Sequence, residues 1–179
     1  MNNLYHSIYA TNLMTVIVAM PIILLVWSVI GAVFFKKMRI IGTAAAVLAV
    51  AAILYVTLFS RGSRLGGLDL IPFSSFSRAV TNSEIYRSML MNVLLFFPLG
   101  LSLPFVFKET TGKRILFTIL SAVLLSLMIE AFQYVFSRGL AETDDVICNT
   151  LGAVTGSCAY LITVLIRNIT KRIRRQKTH

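Results

Sequence analysis

The sequence predicts an all-α fold: a polytopic membrane helix bundle of about five transmembrane helices with a short interfacial segment in one outer loop. Three observations lead there. The 179 residues are 57% hydrophobic and 13% charged, with mean hydropathy +0.82, whereas soluble domains carry about 25% charged residues. Separate apolar runs each approach the roughly 20 residues that cross a bilayer. The basic residues gather in alternate connections, as the positive-inside rule requires.

The runs are Leu13–Phe35, Ile40–Phe59, Tyr86–Phe107, Ile115–Phe136 and Val146–Ile166. Lys36, Lys37 and Arg39 follow the first, Lys108, Lys113 and Arg114 the third, and Arg167, Lys171, Arg172, Arg174, Arg175 and Lys177 the fifth. The opposite side holds only Arg61, Arg64, Arg78, Arg87 and Arg138. The excess sets the N-terminus outside and the C-terminus in the cytoplasm of a multi-pass cell-membrane protein. Three regions follow: an N-terminal helix with its basic turn (1–39), a transmembrane domain (40–166) and a basic cytoplasmic tail (167–179). Met1 to Thr11 contains no Lys or Arg, so no signal-peptide n-region is visible and the first helix is expected to be retained.

A net charge of +10, from 17 basic and 7 acidic residues, would suggest nucleic acid in a soluble chain. Here topology explains it. The tail lacks aromatic interleaving and suits anionic lipid headgroups instead. Cys148 and Cys158 lie ten residues apart on one helix, roughly 15 Å, too far for a disulfide. With no Cys/His cluster, neither a structural zinc nor another cofactor is expected.

The long outer connection, Arg61 to Arg87, begins Gly-rich and then turns apolar at Leu70-Ile71-Pro72-Phe73. Phe73, Phe76 and Val80 suit a short helix lying on the membrane surface. Thr81 and Glu84 have the spacing of a capping box for the third span.

Glu130 stands inside an apolar span, where a carboxylate is expensive and marks a functional site by default. Ser126, Glu130, Gln133 and Ser137 share one helical stripe. Asp145, Asn149, Gly152 and Gly156 form another on the next helix, with small residues that admit a close neighbour. If the stripes face each other, Glu130, Gln133, Asp145 and Asn149 line an outward pocket. Arg61 and Arg138 would stand at its rim, and Asn92, before the kinking Pro98, could reach it. Blander roles compete. Asp144 and Asp145 can simply favour a helix N-terminus, with Thr143 as its cap. Gln133 and Asn149 can be interhelical glue, Glu130 a buried neutral or arginine-paired acid, and the arginines interfacial snorkels.

Asn92-Val-Leu-Leu-Phe-Phe-Pro98-Leu-Gly100, Ser126-x-x-x-Glu130-x-x-Gln133, Arg138 and Asp144-Asp145-Val-Ile-x-Asn149-Thr-x-Gly152-Ala resemble, in order and separation, the VanZ-like family. Leu70-Ile71-Pro72-Phe73 also fits its pattern, and the resemblance covers about Tyr55 to Ile166. It implies a small integral membrane protein, of a family whose namesake is associated with low-level resistance to teicoplanin, a glycopeptide that acts outside the membrane. It implies no particular reaction.

Three functions fit these residues. The first is a non-enzymatic envelope protein, possible as a homodimer, whose pocket binds a membrane lipid, a lipid-linked cell-wall precursor or a lipoglycopeptide. The second is a membrane enzyme, with Glu130 as general acid or base and Asp144 and Asp145 as candidates to hold a divalent cation. The third is a small transporter with Glu130 as its proton site, against which the lack of an internal repeat argues.

Overall fold

The computed structural model describes residues 13–59, 67–137 and 139–176. Among these, helices α1 (Leu13–Val33), α2 (Met38–Leu54), α3 (Ser74–Ala79), α4 (Ser83–Val106), α5 (Thr111–Val135) and α6 (Thr143–Gln176) carry almost all the structure. A π-helical turn, Tyr55–Phe59, extends α2. Two three-residue strands, β1 (Gly67–Asp69) and β2 (Leu140–Glu142), pair in parallel. All but α3 of the helices are long and apolar enough to cross a membrane. The chain is therefore the multi-pass helical bundle that its hydropathy predicts. The bundle has a loop end, where α3 and the strands sit, and a basic end.

The longest helix, α6, has 34 residues. At 1.5 Å per residue it is about 51 Å long, well beyond a hydrocarbon core of about 30 Å. Its last turns run through the basic segment as continuous helix to Gln176.

Packing centres on α4 and α6, the most extensively joined pair. They run parallel and touch backbone to backbone: a Cβ on Gly152 would collide with the Val93 carbonyl, and one on Gly156 with the Phe97 carbonyl. Lipid tails are as apolar as side chains, so no hydrophobic drive pushes membrane helices together. Close backbone approach and van der Waals contact replace it. Beneath the loop end, Ala49, Ile53, Phe96, Leu99, Ala122, Ile129 and Ala153 form one buried apolar layer from α2, α4, α5 and α6. The peripheral helix α1 is fastened by polar bonds inside the bundle. Trp27 Nε1 donates to the Leu101 carbonyl at 2.8 Å, Ser28 Oγ to Ala159 at 3.1 Å, and Thr163 Oγ1 to Ser28 at 3.1 Å.

One local expectation is corrected. The cap of α4 is Asn82, and the Thr81/Glu84 box does not form. Asn82 Oδ1 accepts the Glu84 and Ile85 backbone N–H groups at 2.9 and 3.4 Å. The Thr81 hydroxyl turns back to the Arg78 carbonyl. The short Asn carbonyl is among the best caps, and here it outcompetes the threonine one residue earlier. Pro98 and Pro104 both lie within α4, which the helix passes without a break. Helix α3 begins one residue after Phe73, whose φ of 66° is left-handed, and ends before Val80. Leu70, Ile71, Phe73 and Val80 expose 59–85% of their surface, as a loop resting on a bilayer would.

Candidate functional site

The loop end is assembled by a clip between segments far apart in sequence. The strand register sets Gly67 against Leu140 and Asp69 against Glu142. Two carboxylates side by side repel, and Arg78 from α3 stands between them. Its Nη2 lies 2.8 Å from Asp69 Oδ2 and 3.5 Å from Glu142 Oε1, and it also donates to Ser75 Oγ at 2.8 Å. Ser75 is 1% exposed, and its hydroxyl donates a hydrogen bond to Glu142 Oε2 at 3.1 Å. Asp69 Oδ1 accepts the Ile71 N–H, and Oδ2 accepts the Ser74 hydroxyl at 2.9 Å. These bonds hold the Asp69 carboxyl below its ordinary range, the Ser74 hydroxyl most strongly.

Asp144 completes the clip. Its oxygens accept the backbone N–H groups of Phe73 at 2.6 Å and Ser75 at 2.7 Å. Asp144 stands in the first turn of α6, where an acid was expected to favour the helix dipole, and its side chain also caps α3. It also holds Phe73 in a left-handed conformation that bulky residues avoid.

Behind the clip a column of buried polar groups descends between the helices. Glu130 Oε2 accepts the Glu142 N–H at 3.0 Å, so the intramembrane carboxylate holds strand β2. Asn149 Nδ2 donates to Ser126 Oγ at 2.8 Å, which brings the two predicted stripes face to face. Gln133 turns towards α2, where Nε2 donates to the Thr57 carbonyl at 3.3 Å in the π-helical turn. Asp145 is buried at the start of α6, and Asn92 is buried in α4. One turn further from the loops, Phe96, Ala122 and Ala153 of the same three helices are buried and apolar. Arg61 and Arg138, the expected rim, lie outside the described residues.

On the other flank of the α4–α6 contact, an open apolar groove of about 450 Å³ runs under α3. Phe76 and Val80 wall it above, Leu90 and Val93 on one side, Cys148 and Leu151 on the other. None of Glu130, Gln133, Asp145 or Asn149 lines it.

Asp69, Ser75, Arg78 and Glu142 were not expected at the site. Asp69 two residues before Ile71 carries the signal of an Asx turn. The rest depend on a strand pairing that three-residue strands do not announce.

A family model described as VanZ/LLP1 matches residues 44–166. Over 93 residues the chain is 36% identical to "Protein VanZ" of Enterococcus faecium, a match covering 52% of each protein. The chain thus spans about half the length of that relative. No solved structure matches it. The matched segment begins in α2 and ends in α6, so it contains the clip, the polar column and the groove, and the chain belongs to the VanZ/LLP1 family.

Proposed function

We propose that this family member is a non-catalytic membrane protein of the bacterial cell envelope that holds an amphiphile at its loop end. The amphiphile is a membrane lipid, a lipid-linked cell-wall precursor or a lipoglycopeptide. One observation carries the reading: α3 is a wall shared by an apolar and a polar site. Phe76 and Ala79 face the groove, while Ser75 and Arg78 of the same short helix face the carboxylates. An amphiphile needs that juxtaposition, with an apolar trough for a chain and hydrogen-bonding groups at its end. The Arg78 side chain is 44% exposed, so an anionic head can reach the guanidinium.

Other features support the reading. The exposed Leu70, Ile71 and Phe73 suit a loop seated at the lipid interface, where such ligands arrive. The positive-inside distribution would set this end outside the cell, the side on which glycopeptides act. One turn beyond Asn92, Ser126 and Asn149 the helices present the buried apolar Phe96, Ala122 and Ala153, which favours binding over transport. Both Asp144 oxygens are engaged by backbone N–H groups, so an acid–base reading would have to rest on Glu130 and Asp145.

Photo-crosslinking tests it. Protein in nanodiscs containing a phospholipid with a diazirine in its acyl chain should be labelled on the residues that line the groove. Val93→Trp or Leu151→Trp, which fill the groove, should reduce that labelling about tenfold, the equivalent of 1.4 kcal/mol. Leu124→Trp, at a position 62% exposed on the bundle surface, should leave it unchanged. Equal groove labelling in all variants overturns the proposal.

A further inference from the structure

Among the described residues, two buried amide atoms in the polar column have no hydrogen-bond partner. Asn92 is 4% exposed and its Nδ2 has no hydrogen-bond acceptor. Asn149 is 3% exposed; its Nδ2 is satisfied by Ser126, but its Oδ1 has no donor. Burying either atom unpaired is costly, and more so in a bundle surrounded by lipid.

The two residues sit at similar heights on the parallel helices α4 and α6. Gly152 of α6 packs against the Val93 carbonyl of α4. Asn149 is three residues from Gly152 towards the loop end, and Asn92 one residue from Val93 in the same direction. At 1.5 Å per residue their heights differ by about 3 Å. Phe96, Ala122 and Ala153, each fully buried, lie one turn beyond Asn92, Ser126 and Asn149 on the side away from the loops.

We propose that these two amides form a binding site for one small neutral group that both donates and accepts a hydrogen bond. Its complement is fixed by the orphans: a donor for Asn149 Oδ1 and an acceptor for Asn92 Nδ2. A carboxylate or phosphate presents no donor to Asn149. An ammonium presents no acceptor to Asn92. Water, a hydroxyl and a carboxamide present both. The guest is therefore either a resident water or the hydroxyl or carboxamide of a ligand reaching down the column. The site lies across the α4–α6 contact from the groove and stands whether or not the groove holds an amphiphile.

Thermal unfolding in nanodiscs tests the site. An occupied site makes Asn92→Leu lose its guest, and the midpoint falls by about 2–4 °C. Asn92→Ser, which keeps a donor, recovers part of the loss. An empty site makes Asn92→Leu neutral or stabilising, because a costly orphan has been removed, and that result overturns the proposal. Acetamide and acetate distinguish the source of the group. A midpoint raised by acetamide and not by acetate, and only with Asn92 intact, assigns the site to a ligand group. No response to either, with the Asn92→Leu loss present, assigns it to water. An experimental density map keeps the proposal testable if Asn92→Leu does not fold. Density bridging Asn92 Nδ2 and Asn149 Oδ1 supports it. A direct amide–amide bond or a dry gap overturns it.

Discussion

Asp144 and Ser75 lie 69 residues apart in the chain, yet Asp144 Oδ2 accepts the Ser75 backbone N–H at 2.7 Å. With Oδ1 on the Phe73 N–H, one carboxylate at the head of α6 supplies the cap that α3 lacks in its own sequence. A six-residue helix cannot persist alone, because nucleation costs more than its few bonds return. The stability of α3, and with it the roof of the groove, is therefore lent by α6.

Replacing that cap should release the loop and leave the bundle intact. Asp144→Ala is expected to destabilise the segment from Phe73 to Ala79 by about 1–3 kcal/mol, the range for charge-assisted bonds at a cap. Hydrogen exchange should speed up there by one to two orders of magnitude, with α4 and α5 unchanged. Asp144→Asn, which keeps one acceptor, should fall between. Global unfolding of Asp144→Ala would show that the loop is integral to the core and not clipped onto it.

The clip should weaken in acid through Asp69. Its carboxyl is held below the ordinary value of 3.8, first by the Ser74 hydroxyl, then by the Ile71 N–H, against an opposing desolvation, with Arg78 adding less. A depressed folded value means that the ionised form stabilises the clip. The contribution is fully present above the ordinary value and is lost as pH falls through the lower, folded one. Protection of the Ser74–Ala79 amides, corrected for intrinsic exchange, should be steady at neutral pH and decline below about pH 4. Asp69→Asn should start lower and lose that dependence.

Close helix approach gives a sharp contrast among glycines. A methyl group on Gly152 or Gly156 meets a backbone carbonyl of α4, which cannot swing aside like a side chain. Gly152→Ala should cost about 1–3 kcal/mol or more, because α4 and α6 must separate. Around Gly112, at the start of α5, a built Cβ meets nothing within 4 Å. Gly112→Ala should be neutral or raise stability by about 0.5 kcal/mol through backbone entropy. Scanning fluorimetry of the purified variants checks both.

The spans were readable because hydrocarbon imposes one solution, a run of apolar residues with every backbone group bonded internally. The facing of Ser126 and Asn149 was readable because helical spacing fixes which residues share a stripe. The destination of Asp144 was not. First-turn acids favour their own helix dipole, and nothing local says that its side chain reaches across to Phe73 and Ser75. The parallel pairing of Gly67–Asp69 with Leu140–Glu142 was equally hidden, since three residues cannot show a strand period. Arg78 counted only as one of five outer basic residues, and it is that pairing that sets Asp69 and Glu142 beside it.

Glu130 offers a test that separates folding from function. Its Oε2 accepts the Glu142 N–H at 3.0 Å, a bond that the amide oxygen of Glu130→Gln can replace. Glu130→Gln should therefore insert normally and stay within about 1 kcal/mol of wild type, whereas Glu130→Ala leaves the strand N–H unpaired and should lose about 1–3 kcal/mol. If the carboxyl itself takes part in holding an amphiphile, Glu130→Gln abolishes any glycopeptide tolerance the protein confers while its membrane level is unchanged, and Asp145→Asn behaves alike. Teicoplanin inhibition measured in cells expressing each variant, with membrane abundance determined in parallel, decides the matter. Wild-type tolerance in both variants would reduce Glu130 to a structural acceptor for β2 and leave the groove as the whole of the site.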